Sequence, residues 1–304
     1  MEIDIIMEKQ KILEFYKKTS TYTNLGYYNE FAKNLPDDIE ELCILQRMQI
    51  IHPVAYQNKD IRKQEKSFWG DMTKVPITRL NYEDDILPTA QSIIAELLRK
   101  NPNYNIKREA KDKVHVTCRG QAILLASILK AKGISARARS GFAPYITENI
   151  KVGYDHWITE YYDEKENRWK LVDADMHCPD HELGFDVNDI PYDKFWFGAE
   201  AYLGLRQNKL KHEQIRYASD PPTYGLKAAI RGLFYDFHAL MNDEIIFLHI
   251  PKYINEKQFE LSEEEYIELD NLAKLMLNTN ENFEKLKEIW ENTSKFRIVS
   301  GALN

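Results

Sequence analysis

Three residues in the middle of this 304-residue chain have the types and the order of a nucleophile, a base and a group that orients the base: Cys118, His156 and Asp173. The cysteine stands at the start of a predicted helix. Unpaired backbone N–H groups and the positive end of the helix dipole favour thiolate over thiol there. The thiolate is the nucleophile, and an imidazole beside it takes up a proton and later delivers it to a leaving group. A carboxylate on the far ring nitrogen fixes the tautomer and stabilises the imidazolium. The chemistry such a set performs is acyl transfer through a thioester. A metal-binding reading competes for the same cysteine, because His115-x-x-Cys118 and Cys178-x-x-His181 offer two sulfurs and two imidazoles at zinc-like local spacing. The halves are far apart and one of them uses Cys118, so no metal and no cofactor is expected. Arg119, Arg137 and Arg139 could recognise a carboxylate or phosphate, or serve a structural hydrogen-bond network.

The elements that must position these residues are legible as periodicities. Thr117 can cap a helix over residues 118–132 that turns Ala122, Leu125, Ile128 and Leu129 inward and stops at Gly133. A strand-like run over residues 134–142 carries Arg137 and Arg139 on the face opposite Ala136 and Ala138. Strands over residues 156–162 and 168–173, separated by Asp163-Glu-Lys-Glu-Asn167, read as a hairpin. Alternation places His156, Ile158, Glu160 and Tyr162 on one face, and Trp169, Leu171 and Asp173 on one face of the partner. Folding the chain about Glu164-Lys165 sets Asp173 opposite His156. Upstream, helical patterns cover residues 9–18, 37–55 and 88–100. Downstream they cover residues 225–241, a stretch to 277 opened by the Ser262/Glu265 capping box, and residues 282–292. A helix followed by an antiparallel meander is an α+β arrangement.

The motifs resemble the transglutaminase-like superfamily of papain-type cysteine enzymes. Its pattern has a Cys opening a helix, a "G-I-x-A-R" segment, an aromatic "H-W" strand and a "W-x-x-V/L-D" strand. Here those are Cys118, Gly133-Ile134-Ser135-Ala136-Arg137, His156-Trp157 and Trp169 to Asp173. More narrowly the chain resembles a bacterial group of transglutaminase-like proteins with "C-R-D-x-A", "A-R-x-R-x-G-F", "D-H-W" and "V-D-A". The resemblance continues at Pro222-Thr-Tyr-Gly-Leu226 and, weakly, at residues 42–52. Two positions depart from it: Gly120 stands where an acidic residue is common, and Thr117 where Asn or Gly is more usual. The resemblance implies a core in which the helix carrying the Cys packs on an antiparallel sheet, with added helices at both ends. It implies Cys118, His156 and Asp173 as catalytic residues and a protein, peptide or other amide-bearing substrate. Hydrolysis and transamidation both remain open, as does a catalytically silent fold that binds protein or peptide. Gln46, Gln49 and Gln57 are unranked candidates for an oxyanion-binding side chain beside the backbone N–H of Cys118.

Composition bounds the rest. Lys plus Arg number 41 against 48 Asp plus Glu, a net charge of −7, which disfavours a nucleic-acid or anionic-membrane partner. The longest apolar runs fall short of a membrane span, and MEIDIIMEKQ lacks the layout of a secretory signal. Three cysteines, odd in number and far apart, exclude a disulfide scaffold and fit a cytoplasmic protein. The expected organisation is a transglutaminase-like domain with a helical N-terminal part over residues 1–180. A mostly helical extension over 181–304 packs on that core, and oligomeric state is not legible.

Overall fold

The computed structural model describes residues 2–147, 151–177, 183–218, 222–247 and 249–298. The N-terminal helix α1 (Glu2–Lys17) extends further toward the N-terminus than the short pattern over 9–18 suggests. After α2 (Asn29–Lys33), helix α3 (Ile39–Arg47) opens on Asp38, whose carboxylate accepts the Glu41 N–H. The helix expected over 37–55 stops at Arg47, which corrects that expectation. The cause is non-local: Val114 N–H donates to Gln49 O and Ile51 N–H to Val114 O, drawing residues 49–51 into a bridge. Helix α4 (Ala90–Lys100) is opened by a reciprocal Thr89/Ser92 capping box, and α5 (Cys118–Ala131) carries the cysteine.

Strands β1 (Ala136–Ala143), β2 (Gly153–Asp163) and β3 (Arg168–Val172) follow, then β4 (Trp196–Phe197) and α6 (Gly198–Arg206). Strands β5 (Ile215–Tyr217) and β6 (Thr223–Tyr224) lead into α7 (Gly225–Leu240), with α8 (Lys252–Glu256), α9 (Glu263–Met276) and α10 (Phe283–Asn292) behind it. The Ser262/Glu265 capping box opens α9 as its spacing implies. The sheet order is β4-β1-β2-β5-β6, with β3 paired to β2. All pairs with a described register are antiparallel except β2 with β5, which is parallel. The architecture is α+β.

The β2–β3 register differs from the expected one. Thr159 pairs with Val172 and Asp163 with Arg168, so one further step sets Asp173 opposite Ile158 rather than His156. The turn is the reason. Asp163 Oδ1 accepts the N–H groups of Lys165 and Glu166, and Asn167 takes a left-handed φ of 58°. The reversal is therefore centred one residue later than Glu164-Lys165, and each pairing moves by two. A shift of two leaves every side chain on its expected face.

Two compact units share this chain. One comprises Thr19–Ala136 and Ile158–Ile190, and the other Met1–Lys18, Arg137–Trp157 and Pro191–Asn304. The first is built around α5, whose residues are all buried except Ala131. Thr159 Oγ1 donates to Ala122 O at 3.0 Å, seating β2 on that helix. The second is built around α7, also buried through most of its length, where Trp157 packs against Tyr235 and Phe247. Among the described residues no helix is long and apolar enough to cross a membrane.

Candidate active site

Cys118 is the first residue of α5 and is 5% exposed. Thr117 occupies the cap position, as its spacing implies, but its hydroxyl does not cap the helix. It donates instead to Asp84 Oδ1 at 2.6 Å, and the Thr117 N–H donates to both oxygens of the same carboxylate at 3.2 and 3.0 Å. Asp84 is 1% exposed. Burial pushes its carboxyl up to about 6, against the hydrogen bonds from Thr117 and the attraction of Arg119. The residue before the cysteine is thus fixed by a buried acid that lies 33 positions upstream.

Further along the same approach, Glu83 and His115 exchange hydrogen bonds: Glu83 N–H to His115 O, and His115 N–H to Glu83 Oε2, both 2.8 Å. Burial works to raise the Glu83 carboxyl, but its bonds to Arg79 and the His115 N–H outweigh it and hold the carboxyl low. The His115 ring donates from Nδ1 to Leu80 O at 2.6 Å, and burial, reinforced by the nearby Arg79 charge, pushes the ring down to about 4. His115 is therefore a neutral core residue. The other half of the zinc-like pattern, Cys178 and His181, lies outside the described residues. Among those described, no group of three His, Cys, Asp or Glu is placed to hold a metal.

Gly120, the departure two residues after the cysteine, has a steric cause. A Cβ at this position would lie 2.8 Å from both Cβ and Cγ2 of Val116. One residue later, Gln121 Nε2 donates to Asp175 Oδ1. Positions 118 and 121 are three apart on a helix and so share a side of it. Asp175 also accepts from Arg47, whose Nε lies 2.8 Å from its backbone O and 3.5 Å from Oδ1. The Asp175 N–H in turn donates to Asp173 Oδ1 at 3.0 Å.

Asp173 directly follows β3, is 1% exposed, and donates its own N–H to Val187 O. Its charge is felt nearby. The Cys43 thiol on α3 is pushed up, by burial first and by Asp173 second. His177 is lowered by burial, with Asp173 pulling the other way. Cys43 is therefore an inert, fully buried thiol. Cys118 and Asp173 thus belong to one unit, and Asp173 is hydrogen-bonded through Asp175 to Gln121, which shares the first turn of α5 with Cys118.

His156 stands on β2 in the part of the strand assigned to the other unit. It is buried, and its ring meets the Tyr145 ring edge-on at 6.3 Å. Next to it, burial pushes the Asp155 carboxyl up to about 6, opposed first by the Ala218 N–H at 2.5 Å and then by His156. The arginines resolve toward structure. Arg139 makes a two-pronged pair with Asp236 at 2.8 and 2.9 Å, Arg137 lies over the Tyr16 ring, and Arg119 donates to Pro88 O beside the Tyr22 ring. Of the glutamines, Gln46 Nε2 donates to Gln121 O and Gln49 Nε2 to Leu45 O and Asn105 O, whereas Gln57 is exposed. A cleft of about 710 Å³ lined by His212, Tyr224, Phe259 and Tyr266 includes none of the three candidate residues.

Residues 81–174 match the family model of the transglutaminase-like superfamily. That span holds Asp84, Cys118, His156 and Asp173, so the chain carries a transglutaminase-like domain there. A solved structure described as a putative cysteine protease from Cytophaga hutchinsonii is similar at 15% identity, with a TM-score of 0.31. The match covers 54% of this chain and 42% of that one. No curated protein matches the chain.

Proposed function

We propose that the chain is a cysteine-dependent acyl-transfer enzyme acting on an amide, with Cys118 as nucleophile, His156 as acid and base, and Asp173 as the carboxylate that orients His156. In this reading the Cys118 thiolate attacks the amide carbonyl carbon and forms a C–S bond. His156 then gives its proton to the departing nitrogen as the C–N bond breaks. Water or a second amine, deprotonated by His156, resolves the thioester and returns the thiolate. The backbone N–H of Cys118 is the donor closest in sequence to the developing oxyanion. Substrates of this reading are proteins, peptides or other amide-bearing molecules.

The observation that carries it is the treatment of the α5 N-terminus. A helix whose interior is almost wholly apolar has its first turn and its cap fixed by two acids from distant loops, Asp84 on Thr117 and Asp175 on Gln121. The core cysteine Cys43 lies inside α3 rather than at its start, and its thiol is held neutral by burial.

The test is the rate of iodoacetamide labelling against pH, read on the Cys118 peptide by mass spectrometry. The wild-type thiol is expected to label rapidly at mildly acidic pH, well below the ordinary value near 8.5. His156→Ala moves the titration toward 8.5, Asp173→Asn moves it less, and Cys118→Ala abolishes labelling at this site. A wild-type thiol that titrates near 8.5, unmoved by either substitution, overturns the enzyme in favour of a binding module that keeps the fold.

A further inference from the structure

Asp175 follows Asp173 by two residues and has more partners than a loop acid requires. Its carboxylate faces three donors from three segments: Gln121 Nε2 on α5, Arg47 Nε on α3 at 3.5 Å, and His52 Nε2 at 3.6 Å. His52 accepts the Val54 N–H at Nδ1, so its proton sits on Nε2 and points toward Asp175. The Arg47 guanidinium sits over the Trp69 and Phe68 rings, 4.3 and 4.8 Å from their centroids, which restricts where its fork can go. The fold accepts a cost to keep this arrangement. Gln121 Oε1 is buried with no hydrogen-bond partner, as is Gln46 Oε1 beside it, and each such orphan costs about 1–3 kcal/mol. An apolar residue at position 121 would leave no orphan. A buried polar group kept at that cost calls for a role beyond packing.

We propose that Asp175 is a positioning residue of the site, registering the Asp173 carboxylate to the Cys118 turn of α5. The chain of contacts is continuous within one unit. The Gln121 amide sets Asp175 against α5, and Arg47 sets it against α3. The Asp175 N–H then holds Asp173 Oδ1 at 3.0 Å, fixing the carboxylate that the proposed triad uses. The register of β2 and β3 does not set that distance by itself, because the ladder ends at Thr159 and Val172, one step short of Asp173. The inference deepens the acyl-transfer reading and rests on it.

The experiment is the same pH titration of Cys118 labelling, now as a double-mutant cycle with thermal melts alongside. Asp175→Ala is expected to shift the titration toward 8.5 by about as much as Asp173→Asn, half a unit or more. The Asp173→Asn/Asp175→Ala double variant adds nothing further, since both act through one carboxylate. Asp175→Asn, which still accepts from Gln121, stays close to wild type. Should Asp175→Ala fold poorly, Gln121→Leu removes the same link from the helix side and must reproduce the shift. A lowered Tm with an unmoved titration reduces Asp175 to a structural residue and overturns the proposal. Additive shifts in the double variant overturn it as well, because Asp175 would then act through its own charge. Either result leaves a reactive wild-type thiol, and with it the enzyme reading, intact. A wild-type thiol that titrates near 8.5 removes both.

Discussion

Helices α5 and α7 are the two most buried helices of their respective units, yet their carboxylate contacts lie at opposite ends. In α7 the fully buried Asp236 and His238 stand in the last two turns and are answered in place. Asp236 accepts from Arg139 Nε and Nη2 and from the Ser140 N–H, and the Arg139 guanidinium also lies over the Phe197 ring. His238 reaches Asp243 and Phe296 O, both at 2.8 Å, and Tyr16 closes the end by donating to Leu240 O. In α5 the polar contacts of the first turn reach out to distant loops and bracket a thiol, while Ser127 Oγ further along donates within the helix to Ile123 O. The comparison teaches that burying a polar group serves two ends. At α7 it ties a core together, and at α5 it fixes the surroundings of one atom at the end of the helix dipole where a negative charge is favoured.

Removing an α7 anchor is expected to have the largest effect on stability. Asp236→Ala strands the buried Arg139 charge and costs about 3–5 kcal/mol in urea unfolding. A loss under about 1 kcal/mol would break the distinction, since α7 would then be held by apolar packing alone.

The next effect is a pH dependence around α5, with two opposed contributions. His115, pushed down to about 4 from 6.5, must stay neutral to be buried, so its contribution is lost as pH falls through that interval. Asp84, pushed up to about 6 from 3.8, binds its proton more readily folded than unfolded, so its contribution grows as pH falls from about 6 to 4. The two partly cancel in the wild type. His115→Asn is expected to flatten the acid loss of stability and Asp84→Asn to steepen it, each by about 2–3 kcal/mol between pH 7 and 4. Urea melts at four pH values decide this, and unchanged slopes in both variants would remove Asp84 from the account of the Cys118 turn.

The smallest effect calibrates the others. Ser262 is an ordinary capping residue at the exposed start of α9, and Ser262→Ala is expected to cost about 1 kcal/mol with no pH dependence beyond that of the wild type.

Where the sequence was informative, the signal was local. The Thr117–Cys118 helix start, the Ser262/Glu265 box and the hairpin were readable because each is written within a few residues. The register missed by two because the turn type follows from the Asp163 side chain and the left-handed Asn167, neither of which forms a familiar two-residue turn signal. The helical pattern over 37–55 overruns α3 because Val114, far along the chain, captures residues 49–51. Asp84, Gln121 and Asp175 carry no local signal for the same reason: their partners lie 33 and 54 residues away, and periodicity carries nothing at that range. A buried carboxylate is invisible until its burial is known.

The contact between Gly120 and Val116 bears on how such a site changes over generations. In the genetic code every glycine codon is a single base from one for aspartate or glutamate, so an acidic residue at position 120 is always one mutation away. The protein blocks that step on geometric grounds, because Val116 already fills the volume that a Cβ would take. Trimming Val116 to alanine leaves its Cβ, itself 2.8 Å from that point, so the obstruction persists until position 116 is glycine. The acidic form of this turn is thus separated from the present one by an ordered pair of substitutions, the first of which gives up a buried valine with nothing yet gained in return.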